Sequence, residues 1–320
     1  MDIAESFRPL LLITGPTGIG KTSVAMNIAD AFPVDIISVD SVMIYKELNI
    51  GSAKPSLIEL ENYPHALVDI LFPNQCFSAA QFIKTVHVAI EESWGKYRIP
   101  LLVGGTMLWI KLMLCGFGNL PAPDVDIRNK IREEAETDGW PALHSKLGML
   151  DPVSAKLIHP NHSTRIERAL EVFKITGKPI SSYWEKISSP PRIGGVHPRI
   201  SKLFLLPRDQ KIFGVTLTKR FEVMLQSGLI DEVDYLRKKY DLSLGSQSMR
   251  SIGYKQVMSY LDGLFGVDEM KEKATKATRS LAKRQMTWLR SMDDNSSKFL
   301  IDEIPDFNSC VKWAESKIAH

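Results

Sequence analysis

The stretch LLITGPTGIGKTSV, residues 11–24, decides how the chain is read. An apolar run stops at Thr14, a glycine-rich turn follows, and Lys21-Thr22 opens a helix-like segment. The spacing Gly15-x-x-x-x-Gly20-Lys21-Thr22 is a phosphate-loop pattern. Its glycines let consecutive backbone N–H groups turn toward a phosphate, Lys21 supplies a mobile cation, and the Thr22 hydroxyl suits Mg²⁺. The N-terminus of the following helix adds about half a positive charge at the same place. What the pattern leaves open is whose phosphates it holds.

Outward from this loop, short apolar runs recur at PLLLIT (9–14), VDIISVD (34–40), HALVDI (65–70) and IPLLVGG (99–105). Helix-like segments such as 21–32 and 78–94 lie between them. Strands alternating with helices, two of them apolar throughout, predict a parallel α/β sheet. From 124 to 187 only helical periodicity is found, and SSPPRIGGVHPR (188–199) reads as a linker. KLFLL (202–206) reads as one more buried strand, and helices dominate from there to the end. The expected architecture is therefore α/β: a P-loop NTPase-like parallel sheet core from 1–120 and 196–320, with an inserted all-helical domain at 121–195.

Composition narrows the class. The chain has 320 residues, 44% hydrophobic and 24% charged, enough for one large or two modest soluble domains. Its net charge of +3 does not by itself specify a partner. Cys76, Cys115 and Cys310 are too few and scattered for a disulfide framework or a zinc site. His159 and His162 flank Pro160 without an acid or cysteine at ligand spacing, and read as loop residues. The start MDIAESFRPLLLIT has acids where a signal peptide carries basic residues. No apolar run approaches the roughly 18 residues of a membrane helix. The expectation is a cytoplasmic enzyme with no membrane association and no obligate protein partner.

The loop alone favours a nucleotide-dependent enzyme, in which an acid at the end of a buried strand holds Mg²⁺. Asp40 and Asp69 both stand at such ends. On residue chemistry alone, a P-loop small-molecule kinase using ATP stays open.

The continuation shifts the balance. SVDSVMIYKELNIGSAKP (38–55), PHALVDI (64–70) and PLLVGGTMLWIKLMLCG (100–116) accompany the loop. Further on come TRIER (164–168) within 139–178, RFEVMLQSGLIDEV (220–233), SMRSIGYKQVMSYLDG (248–263) and ATKATRSLAKRQMTWLR (274–290). In this order they resemble the tRNA dimethylallyltransferase family of bacterial type, over about nine tenths of the chain. The resemblance implies transfer of a dimethylallyl group from dimethylallyl diphosphate to the exocyclic amine of the adenosine 3′-adjacent to the anticodon. The loop residues Gly15, Thr17, Gly18, Ile19, Gly20, Lys21 and Thr22 would then hold the leaving diphosphate, with Mg²⁺ at Thr22. Asp40 would be the general base, and Thr106 and Arg220 would lie at the reacting end.

The same resemblance implies contacts to a tRNA anticodon stem-loop. These carry over to Asp40, Ser41, Val42, Met43 and Thr106; to Arg128, Thr164, Arg165 and Arg168; to Arg250, Gly253, Tyr254 and Lys255; and to Lys283, Arg284, Gln285, Trp288 and Arg290. The residues themselves support only the last group. At 100° per residue, Lys276, Arg279, Lys283 and Arg290 share one helical face, with Ala274, Ala277, Leu281 and Trp288 almost opposite. Such a face suits RNA phosphates, and equally a solvated surface. The sequence departs from the family's usual residues at Ile19, whose backbone rather than side chain would face the phosphate, and at Ala66 and Lys255; none of these changes removes a residue assigned to chemistry.

Overall fold

A computed structural model describes residues 8–116, 120–184, 192–292, 296–302 and 304–319. The apolar runs form β1 (Arg8–Thr14), β2 (Val34–Val39), β3 (His65–Ala66), β4 (Ile99–Gly104) and β5 (Pro198–Pro207), joined by β6 (Ser297–Ile301). All pair in parallel, in the order β3-β2-β4-β1-β5-β6. Leu10, Leu11, Leu12 and Ile13 are fully buried, as a central parallel strand covered on both faces requires. The parallel α/β sheet stands as expected.

Helices fill the connections: α1 (Lys21–Ala31), α2 (Leu57–Asn62), α3 (Ala79–Gly95) and α4 (Met107–Cys115) among the early strands. Then come α5 (Val125–Asp138), α6 (Trp140–Leu150), α7 (Pro152–Leu157) and α8 (Ser163–Thr176). After β5 follow α9 (Gln210–Gln226), α10 (Leu229–Tyr240), α11 (Tyr254–Leu261), α12 (Val267–Ser291) and α13 (Phe307–Ile318). The chain divides into two compact units, Met1–Met113 with Pro191–His320, and Leu114–Pro190.

Register places the site in the first unit. Thr14 pairs with both Gly104 and Phe204, and Val39 with Gly104, so β1, β2 and β4 end level with one another. The carboxyl ends of such strands are where open α/β sheets bind ligands. Behind that edge, Leu11, Ile13, Val24, Ile28, Leu101 and Leu205 belong to one core.

In the second unit, Ile131, Leu143, Leu147, Ile166 and Leu170 form a separate core. Its polar lattice centres on two buried acids of α8. Glu171 accepts from Arg128 Nε (2.8 Å), Arg168 and the Asp124 N–H (2.8 Å), and Glu167 accepts from Arg132 Nε (2.7 Å).

Three strand expectations change. The run 65–70 keeps only two strand residues, because Leu67 and Asp69 take left-handed φ of 65° and 56°. Asp69 is turned into an ion pair with Lys54, away from the metal role considered for it. β5 begins at Pro198, inside the expected linker, whose residues 188–191 lie outside the described ones. β6 is an added strand in an ending that helices otherwise dominate, as expected. This five-residue edge strand alternates half-buried and exposed residues before the buried Ile301, too short and mixed to stand out.

Candidate active site

β1 delivers its loop directly to the sheet's carboxyl edge. Gly18 and Gly20 hold φ of 81° and 92°, a region costly for any side chain, and a Cβ on Gly18 would sit 2.7 Å from Leu217. Ile19 is 4% exposed and anchors the loop in the core. Gly20 caps α1 without a side-chain acceptor, and no acid occupies the first turn. The first N–H groups of α1 are therefore left for a ligand.

Charges converge on the cavity this loop bounds, about 270 Å³ in volume and lined by Gly18, Lys21, Thr22, Asp40 and Arg220, among others. Lys21 Nζ donates to the Gly15 (3.0 Å) and Pro16 (2.9 Å) carbonyls. Burial lowers its pKa to about 8, against the pull of Asp40, while Arg220 adds to the lowering. Arg220, from α9, is likewise lowered by burial and supported by Asp40. Two cations held in a tight space beside one carboxylate favour an arriving anion.

Asp40 follows β2. Its Oδ1 accepts from the Val42 (2.8 Å) and Met43 (3.3 Å) N–H groups, which fixes the carboxylate and leaves Oδ2 without a hydrogen bond among the described residues. Thr106 does not line the cavity. Its N–H donates to Val39 O (3.2 Å), and its Oγ1 accepts from the Ser41 N–H (3.0 Å), so it braces the turn that carries Asp40. Lys54 and His65 also line the cavity and escaped the sequence reading. Their positions beyond β2 and on the two-residue β3 carry no periodic signal.

No cluster of three His, Cys, Asp or Glu side chains among the described residues forms a metal cage. Mg²⁺ needs less, one or two protein oxygens beside substrate phosphate and water. The Thr22 hydroxyl and the Asp40 carboxylate line the same cavity, and the donor set fits that ion.

On α12, Lys276, Lys283, Arg284 and Arg290 are exposed and form no ion pair among the described residues, while Lys271 and Lys273 nearer its start pair with Asp268 and Glu269. The packed face is rotated from the expected one: Met270, Ala274, Ala282, Gln285, Met286 and Leu289 are buried, and Ala277, Leu281 and Trp288 half-buried. Arg279 donates to Gly214 O (3.1 Å) and Thr218 Oγ1 (2.8 Å) of α9. Lys111 lies over the Trp288 ring at 5.5 Å.

Two residues expected to contact RNA are buried. The Gln285 side chain is 5% exposed, accepting from the Thr17 N–H (2.9 Å) and donating to Gly105 O (2.8 Å). Tyr254 is fully buried, its hydroxyl donating to Glu232 Oε1 (2.6 Å). That carboxylate also accepts from the Asn49 (3.0 Å), Ile50 (2.8 Å) and Gly51 (3.3 Å) N–H groups. Arg250 and Lys255 stay exposed, with Gly253 capping α11 between them at φ 93°. In the second unit Thr164 and Arg165 are exposed, and Arg165 forms no ion pair among the described residues. Arg128 and Arg168 are committed to Glu171.

A parallel sheet with a glycine loop, a cationic cavity and a carboxylate at its carboxyl edge defines a protein of P-loop NTPase-like fold. The IPP transferase family profile matches residues 43–292. A tRNA dimethylallyltransferase 2 of Hahella chejuensis is 48% identical over 300 residues, covering 91% of this chain and 90% of that one. A tRNA dimethylallyltransferase of Chromobacterium violaceum is 42% identical, covering 96% of each. The solved full-length tRNA isopentenylpyrophosphate transferase of Bacillus halodurans superposes with a TM-score of 0.70 at 30% identity, over 98% of this chain and 97% of that one. A eukaryotic dimethylallyltransferase acting on tRNA, at 23% identity and TM-score 0.77 over 97% of this chain and 77% of that one, shares the fold. The chain belongs to the IPP transferase family. No helix among the described residues is long and apolar enough to cross a membrane.

Proposed function

We propose that the chain transfers the dimethylallyl group of dimethylallyl diphosphate to the exocyclic amine of the adenosine 3′-adjacent to the anticodon in tRNA. The observation that carries this reading is one cavity shared by a phosphate loop, two half-buried, desolvated cations and the Asp40 carboxylate. The amine attacks the allylic carbon, the carbon–oxygen bond breaks, and diphosphate leaves with the electron pair. Asp40 takes the amine proton, a role typically worth 10² to 10⁴ in rate. Lys21, Arg220 and the open N–H groups of the loop meet the charge that develops on the leaving oxygens, so they stabilise the transition state more than the ground state. Thr106 acts at the same end by holding the Ser41 turn. Mg²⁺, held by Thr22 with Asp40 alongside, would supply further neutralisation of diphosphate.

The target adenosine must leave its stack to reach Asp40, following the logic of base flipping. The exposed cations Lys283, Arg284 and Arg290, with Arg250 and Lys255, supply phosphate contacts that position the anticodon stem-loop. Residues 1–120 and 196–320 are read as the catalytic part, and 121–195 as a helical part that adds tRNA contacts through Thr164 and Arg165. A cytoplasmic setting, where unmodified tRNA is found, follows from this reading. The test is incubation of the protein with unmodified tRNA, dimethylallyl diphosphate and Mg²⁺, without nucleoside triphosphate, followed by mass analysis of nucleosides. An adenosine heavier by one five-carbon prenyl unit is expected. Phosphate transfer from ATP to a small acceptor, with no prenylated adenosine, would favour a kinase instead.

A further inference from the structure

Gln285 sits in the stretch that carries the exposed cations of α12, yet its side chain points the other way. Its amide spans two peptides that belong to different parts of the site. The acceptor end takes the Thr17 N–H of the phosphate loop, and the donor end gives to the carbonyl of Gly105, the residue before Thr106. Space around that bridge is already full. A Cβ on Gly105 would lie 2.7 Å from Gln285 Nε2, 3.2 Å from Gly15 O and 3.4 Å from Lys21 Nζ. The Gly15 carbonyl in turn receives the Lys21 ammonium at 3.0 Å. One amide thus holds the start of the phosphate loop, the backbone ahead of Thr106, and the neighbourhood of Lys21.

From this we infer that Gln285 is a positioning residue: it sets the phosphate loop against the Thr106 turn and ties both to the helix that carries Lys283 and Arg284. The inference deepens the proposed function and rests on it for the identity of the anion. The chemistry requires both ends of the amide. An N–H must be met by an acceptor and a carbonyl by a donor, and a primary amide offers one of each across a fixed distance. A carboxylate at this position keeps the bond to Thr17 but sets an oxygen against Gly105 O. An apolar isostere leaves two peptide groups unpaired in a nearly closed space. Since the Thr17 N–H is committed to Gln285, the backbone donors the loop offers to diphosphate begin at Gly18. Shifts of the order of 1 Å in such groups cost about 10²-fold in rate.

The experiment compares wild type with Gln285→Met, which keeps the packing, and Gln285→Glu, which keeps the shape and one bond. Four quantities are measured on the full chain: melting temperature, the dissociation constant of inorganic diphosphate with Mg²⁺, tRNA affinity with its salt dependence, and single-turnover prenyl transfer. For Gln285→Met, diphosphate should bind about tenfold more weakly and transfer should slow by about 10²-fold. Affinity for tRNA and its salt slope should stay those of wild type. For Gln285→Glu, diphosphate affinity relative to wild type should recover as pH falls, because the protonated carboxyl can again donate to Gly105 O. A structural filler would show no such pH profile. Weakened tRNA binding with diphosphate affinity intact would place Gln285 on the RNA and overturn the inference. So would lost activity that tracks only the folded fraction, with diphosphate affinity and the pH profile unchanged. Binding of inorganic diphosphate needs no prenyl transfer, so failure of the proposed reaction and failure of this inference are read separately.

Discussion

The cavity at the end of β1 and the polar lattice of the helical unit use the same kinds of side chain to opposite ends. In the helical unit the two buried acids of α8 each have a cation: Glu171 faces Arg128 and Arg168, and Glu167 faces Arg132. In the cavity, Lys21 and Arg220 are half-buried with Asp40 the one carboxylate that acts on both, and both lose pKa to desolvation. Balanced charges at depth hold helices together. Unbalanced ones are tolerated where a ligand will complete them.

The largest break of this comparison is Lys21→Ala. Removing the ammonium from the leaving-group end should cut single-turnover prenyl transfer by about 10³-fold and weaken diphosphate binding. It should leave the melting temperature close to that of wild type, because Lys21 satisfies only two loop carbonyls.

Glu171→Gln should do the reverse. Burial alone would raise the pKa of this carboxyl, but hydrogen bonds from Arg128 and Arg168 and from the Asp124 N–H outweigh it and hold it below the usual carboxylate range. A depressed pKa means the ion pair stabilises the fold above the unfolded carboxyl's pKa and is lost as pH falls through the folded one. Removing the charge should cost about 2–4 kcal/mol, read from denaturant midpoints at neutral pH, and the gap from wild type should narrow in acid. Transfer rate per folded molecule should change far less than in Lys21→Ala.

Acidity sharpens the contrast at the cavity. Lys21 in the free protein titrates near 8, so below that pH it is charged and above it neutral. Affinity for dimethylallyl diphosphate, whose terminal phosphate takes up a proton at about pH 6, should be level just below pH 8 and fall by up to about tenfold per unit above it, a break absent in Lys21→Ala. The smallest effect belongs to the surface. Lys283→Ala should weaken tRNA binding only a few-fold and make the salt slope shallower by about one unit, with diphosphate affinity unaltered. An unchanged slope would return the outer face of α12 to ordinary solvent.

Much of the catalytic edge could be read from residues alone, because β1, β2 and β4 are short continuous apolar runs and the loop's spacing is dictated by backbone geometry. Asp40 was legible as the polar end of a buried strand. The links across the site were not, since they join residues far apart in sequence. Gln285 meets Thr17 over 268 positions, and Glu232 meets the 49–51 backbone over more than 180. Gln285 nevertheless left a trace. It falls three residues after Ala282 and four before Leu289, on the arc that α12 buries, whereas its neighbours Lys283 and Arg284 drew attention to charge. The short β3 was misread because two left-handed residues interrupt its apolar run.

The account's central claim is that the loop holds a leaving diphosphate, with Asp40 acting beside it. The most direct measurement is one turnover of excess enzyme on tRNA and dimethylallyl diphosphate without nucleoside triphosphate, counting diphosphate released and adenosine prenylated, for wild type and Asp40→Asn. The account predicts one diphosphate per prenylated adenosine, no acceleration by added ATP, and a rate about 10² to 10⁴ lower for Asp40→Asn at nearly unchanged tRNA affinity. A requirement for ATP, or Asp40→Asn turning over as fast as wild type, would contradict it.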